Sequence, residues 1–82
     1  MSIEKISIRQ VKAARALLSW SQEDLAEASG VSVPTIARLE ASDGPLGGRS
    51  STVAAIRSAL EDAGIEFMGA DTGATGVRLR KL

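Results

Sequence analysis

SQEDLAEASGVSVPTIARLE, residues 21–40, spells a helix, a tight turn and a second helix. Ser21 is placed to cap the first of these, and Glu23 and Asp24 follow where the positive end of the helix dipole favours acids. Leu25, Ala26 and Ala28 supply the inward side. Gly30 ends the helix, because a left-handed C-cap suits glycine. The second helix is expected from Val33 to Glu40 or Ala41, with Pro34 in its first turn, where a missing amide hydrogen is harmless. Pro34 also biases Val33 toward an extended conformation, so the cap is Ser32 or the residue after it. Ile36 and Leu39 point inward together with Val31. A connection this short forces the helices to cross steeply and presents the start of the second one outward. Such a helix fits the major groove of B-DNA, about 12 Å wide.

The flanking sequence supplies the rest of a domain. Upstream, Ile8, Val11, Ala14, Arg15 and Leu18 recur at helical spacing, with Ser7 and Gln10 at capping-box distance. One arginine therefore lies in an apolar stripe. Downstream, ASDGPLGG, residues 41–48, is a loop by composition. A fourth helix is expected from about Ser51 to Ala63, burying Val53, Ile56 and Leu60 and ending at Gly64. After Gly64 the period changes: two alternating runs, from Ile65 and from Val77, flank GADTGAT and predict a β-hairpin. The expected fold is mostly α, four helices with a C-terminal hairpin. It divides into a domain over 1–64 and the hairpin over 65–82.

Composition narrows the chemistry. With 82 residues, the chain is sized for one hydrophobic core. It has no cysteine and no histidine, which removes disulfides, thiolate nucleophiles, the commonest metal ligand and the commonest general base. No metal site, cofactor or enzymatic activity is expected. Ser and Asp are present, but no histidine or metal cluster stands ready to activate them. The opening MSIEKISIRQ lacks a signal-peptide apolar run, and no stretch approaches the roughly 20 apolar residues of a membrane span. A cytoplasmic protein without membrane contact is the expectation. Ten Lys and Arg balance ten Asp and Glu. The neutrality is a sum of unlike parts: Lys5, Arg9, Lys12 and Arg15 face only Glu4 before residue 23, and Glu23, Asp24 and Glu27 follow. A local basic face is compatible with that total.

Residues 21–40 resemble the DNA-binding domain of lambda-repressor-like (Xre/Cro-type) helix-turn-helix regulators. The matching residues are Ser21-Gln22-Glu23, Leu25-Ala26, Gly30-Val31-Ser32, Thr35-Ile36 and Leu39-Glu40. With the flanking helices the resemblance covers about residues 8–63. It implies that Gln22 hydrogen-bonds a phosphate and braces the recognition helix. Val33, Pro34, Ala37 and Arg38 take the positions that face base edges, and Thr35 a phosphate or sugar. It also implies an ion pair between Arg15 and Glu40, which accounts for an arginine in an apolar stripe. The implied partner is double-stranded DNA, bound by a homodimer, and the implied role is regulation, most simply repression.

The sequence departs from the family pattern in three places. Val33 and Pro34 are apolar where many relatives carry Gln, Arg or Ser, so they can touch thymine methyls only. Arg38 is then the one long donor on that face, and bidentate contact with guanine is its best use. Next, Ser42-Asp43-Gly44 replaces a simpler exit, and the start of the fourth helix makes Arg49, Ser50 and Ser51 phosphate-contact candidates. Third, a hairpin stands where relatives have a fifth helix. Ile65 and Phe67 share a face with Val77 and Leu79, and a lone two-stranded ribbon is marginal in water, so it needs a cover or a partner. Pairing with a second copy would give the two-fold dimer of a palindromic site, which makes these four residues dimerisation candidates.

Plainer readings stand beside these. The helix pair could be an αα corner, Gln22 a good first-turn residue, and Arg38, Arg9 and Lys12 a solvated face. Trp20 reads as a core plug before a base-stacking residue. Arg78, Arg80 and Lys81 read as the wet face of a strand before a phosphate-touching arm. A rival function is an antitoxin-like module whose hairpin docks a protein partner, with DNA binding secondary.

Overall fold

The computed structural model describes residues 6–69 and 75–80. Lys5, the hairpin connection over 70–74 and Lys81 lie outside the described residues. Four helices, α1 (Ile8–Leu18), α2 (Gln22–Ser29), α3 (Val33–Glu40) and α4 (Ser50–Asp62), precede strands β1 (Ile65–Met68) and β2 (Gly76–Leu79). The mostly helical, four-helix-plus-hairpin fold is the one the sequence predicts.

Side chains next to each helix start account for most of the boundaries. Ser7 and Gln10 close a capping box on α1, with Ser7 N donating to Gln10 Oε1 at 2.8 Å and Gln10 N to Ser7 Oγ at 3.1 Å. Ser21 and Asp24 do the same for α2. Ser32 caps α3, with Pro34 in the first turn, which decides between the two cap positions left open by sequence. α4 begins and ends one residue earlier than expected; its N-cap Arg49 makes no side-chain capping bond. Gly30 leaves α2 at φ 76°, in the left-handed region. Gly64 is doubly required: its φ is 106°, and a Cβ there would lie 3.1 Å from the Arg80 carbonyl oxygen and 3.3 Å from Leu79 Cδ1.

The core is built from Ile8, Val11 and Ala14 of α1, Leu25 of α2, Ile36 of α3, Ile56, Ala59 and Leu60 of α4, and Ile65 of β1. Leu18, Trp20, Val31, Leu39 and Val53 pack against it, so Trp20 is a core plug. Ala28, read as inward, is exposed. It lies about 200° around the helix from Ala26, beyond the face that α2 turns to the core. Ile6 and Leu46 complete the core from outside the helices. Leu46 N donates to Ile6 O and Ile8 N to Gly44 O, both at 2.9 Å, around an antiparallel bridge between Ser7 and Pro45. The loop after α3 is thereby sewn to the segment that starts α1.

The hairpin pairs Ile65 with Leu79 and Phe67 with Val77, antiparallel. These four apolar side chains share one face and pack on the core. The cover a two-stranded ribbon requires is thus supplied by the chain's own helices, and the hairpin shares the helical domain's core. A clamp fixes it. Gln10, only 5% exposed, donates through Nε2 to Met68 O and to Gly76 O, each at 2.9 Å. One buried amide therefore serves the cap of α1 and the far end of the ladder together.

Candidate nucleic-acid interface

The inner flank of α3 anchors it. Ile36 is 1% exposed and sits in the core, while Glu40, 5% exposed, is held by charge. Arg15 Nε donates to Glu40 Oε2 at 2.8 Å and Nη2 to Oε1 at 2.6 Å, a bidentate pair. The third guanidinium nitrogen, Nη1, donates to Trp20 O at 2.9 Å. Gln22 Nε2 donates to Glu40 Oε1 at 3.0 Å. Helices α1, α2 and α3 therefore converge on one carboxylate. Burial by itself pushes the Glu40 carboxyl up, but the hydrogen bonds from Arg15 and Gln22 and the Arg15 charge outweigh it, and its pKa lies below the ordinary value. The hydrogen bond to Glu40 raises the Arg15 pKa despite partial burial.

The outer flank is open. Pro34 and Arg38 are exposed, and Val33, Thr35 and Ala37 are half-buried. Thr35 Oγ1 accepts from Ser32 Oγ at 3.0 Å, which leaves its own hydroxyl proton free to point outward. Between the end of α3 and the start of α4 lies a groove of about 360 Å³, lined by Thr35, Arg38, Leu39, Gly48, Arg49 and Thr52. It brings Arg38, Thr35 and Arg49 together, residues that sequence placed in two separate sets. Ser50 and Ser51 are exposed at the first turn of α4. Thr52 is a groove residue that sequence reasoning missed. Its only signal was position, in the first turn of a helix whose start was already of interest. Val33 and Pro34, at the first turn of α3, and Gln22, at the first turn of α2, lie outside the lining of this groove.

A second ion pair joins α1 to the loop after α3. Arg9 Nε and Nη2 donate to the two carboxylate oxygens of Asp43, both at 3.2 Å. The Gly44 amide is the main reason the Asp43 carboxyl sits below its ordinary pKa, with Arg9 second. Lys12 is exposed. On the hairpin's outer face Arg78 bonds Glu66 through Nε and Nη2, and Arg80 Nη1 lies 3.6 Å from Glu66 Oε2.

Two short helices across a glycine turn, the second locked inside and bare outside, define a helix-turn-helix domain. Residues 11–49 match the family model described as Helix-turn-helix, which supports the resemblance to lambda-repressor-like, Xre-type regulators. The domain is a DNA-binding module of the regulator type. No curated protein matches the chain. Among the described residues no group of His, Cys, Asp and Glu is placed to hold a metal ion, and no helix is long and apolar enough to cross a membrane.

Proposed function

We propose that this protein is a sequence-specific double-stranded DNA-binding transcriptional regulator, a repressor that acts by occupying its site as a dimer. The observation that carries the reading is the two-sidedness of α3: Ile36 and Glu40 fix one flank while Pro34 and Arg38 stand clear on the other. Helix α3 enters the major groove, with Val33, Pro34, Ala37 and Arg38 toward base edges. Val33 and Pro34 offer only apolar contact, suited to thymine methyls, and Arg38 offers the bidentate donor that suits guanine. Gln22, Thr35, Arg49, Ser50 and Ser51 contact phosphates. Gln22 spends one amide hydrogen on Glu40 and keeps the other for the backbone.

The groove that joins Arg38 to Arg49 sharpens the test. Selection of sites from random duplex DNA should return a half-site with one dominant guanine. Arg38→Ala should then cost about 1–3 kcal/mol on that site and relax preference at the guanine alone. An equal loss on every sequence would make Arg38 a second phosphate contact beside Arg49. Binding should also weaken steeply with salt, because phosphate contacts release counterions. A flat salt response, or no selected motif, would contradict the proposal.

A further inference from the structure

The described arginines divide by whether the chain answers their charge. Arg9, Arg15 and Arg57 are ion-paired with Asp43, Glu40 and Glu61, and Arg78 and Arg80 share Glu66. Arg38 and Arg49 are left over. Neither guanidinium has an ion-pair or hydrogen-bond partner among the described residues. These same two line one groove, and its other lining residues, Thr35, Leu39, Gly48 and Thr52, include no carboxylate. Glu40, two residues from Arg38, is already held by Arg15 and Gln22.

Two like charges around one concave, acid-free space repel each other and concentrate a positive potential there. An anion between them relieves both. At about 360 Å³ the groove has room for a phosphate group and the base edge beside it. The two cations enter it from different elements: Arg38 from the last turn of α3, Arg49 from the N-cap of α4. A guanidinium carries five N–H donors, and a bidentate guanine contact uses two of them, which leaves Arg38 an edge to turn toward a phosphate. In B-DNA a purine directs its N7 edge toward the phosphate on its own 5′ side, so base edge and phosphate lie side by side.

We infer that Arg38 and Arg49 read one nucleotide as a unit. Arg38 takes O6 and N7 of the guanine, Arg49 takes the phosphate on its 5′ side, and that phosphate holds Arg38 in its base-reading position. Arg49 is then a specificity-determining residue although it touches no base. This rests on the reading of α3 as the major-groove helix, and it fixes which phosphate lies in the groove.

The test measures binding by the unmodified protein, Arg38→Ala, Arg49→Ala and the double variant on two duplexes that differ only by adenine for the selected guanine. The unmodified protein should favour guanine by roughly 5- to 150-fold, the span of a bidentate contact. Arg49→Ala should weaken binding to both duplexes and also cut the guanine preference by about threefold or more, so that the two substitutions are not additive. A methylphosphonate that neutralises the phosphate 5′ to the guanine should cost the unmodified protein about eightfold at roughly 0.1 M salt, the effect of one counterion, and cost Arg49→Ala nothing. Arg78→Ala, which removes an arginine already paired, should change none of these values. Helical circular dichroism should be kept throughout, since Arg38 and Arg49 are exposed and Arg49 makes no side-chain capping bond. A guanine preference untouched by Arg49→Ala, or an equal methylphosphonate penalty in both proteins, would overturn the inference while leaving α3 in the major groove. Equal binding of both duplexes by the unmodified protein would instead remove the reading of α3 itself.

Discussion

Two arginine–carboxylate pairs tie α1 to its neighbours, and they differ in everything except chemistry. Arg15–Glu40 and Arg9–Asp43 are both bidentate, the first reaching the end of α3 and the second the loop that follows it. In the first, the side chains are 19% and 5% exposed; in the second, 82% and 67%. Water screens the exposed pair and competes for both its members. The buried pair has no such substitute. If one partner is removed, the other is left charged and desolvated, even though the intact pair adds little net stability over apolar packing. Orientation of α3 thus depends on the buried pair, and the exposed one trims a loop already sewn down by the Ile6–Leu46 ladder.

The largest expected effect follows from breaking the buried pair. Arg15→Ala should lower the unfolding free energy by about 3 kcal/mol, the low end for a buried pair since the arginine is partly wetted. Denaturant titration should show it as a lower midpoint. Next comes the third link from α1, the buried Gln10 amide. Gln10→Leu strips partners from Ser7 N, Met68 O and Gly76 O and should cost about 1–3 kcal/mol. Amide exchange in the hairpin should quicken as well.

Acid sharpens the contrast. The Glu40 pKa is lowered by folding, so its contribution is present above the unfolded value, about 4.3, and is lost as pH falls through the folded value. Stability should therefore decline below about pH 4.3 more steeply in the unmodified protein than in Glu40→Gln. Equal slopes would mean that Glu40 titrates alike folded and unfolded. The smallest effect belongs to Arg9→Ala, for which the denaturation midpoint should not move measurably. A shift as large as that of Arg15→Ala would erase the distinction between the pairs.

The helix-turn-helix segment was legible because local signals agree there: caps, a glycine turn and apolar spacing all point to one arrangement. The loop over 41–48 was less so. Its composition reads as connection, and nothing local says that Leu46 is buried or that Ile6 supplies its ladder partner. Those contacts join positions forty residues apart, about which spacing is silent. Gln10 was read only through its near neighbour Ser7, because a side chain's long-range bonds leave no periodic trace. At the interface, residue types suggested both sets of contacts, but only three-dimensional placement puts Arg38, Arg49 and Thr52 along one groove.

The central claim is that the open flank of α3 lies in the major groove. Methylation interference tests it most directly, since guanine N7 lies in the major groove and adenine N3 in the minor. Methylation of one guanine N7 per half-site should block binding, and that block should vanish in Arg38→Ala. Interference confined to adenine N3, with guanine methylation tolerated throughout, would contradict the account.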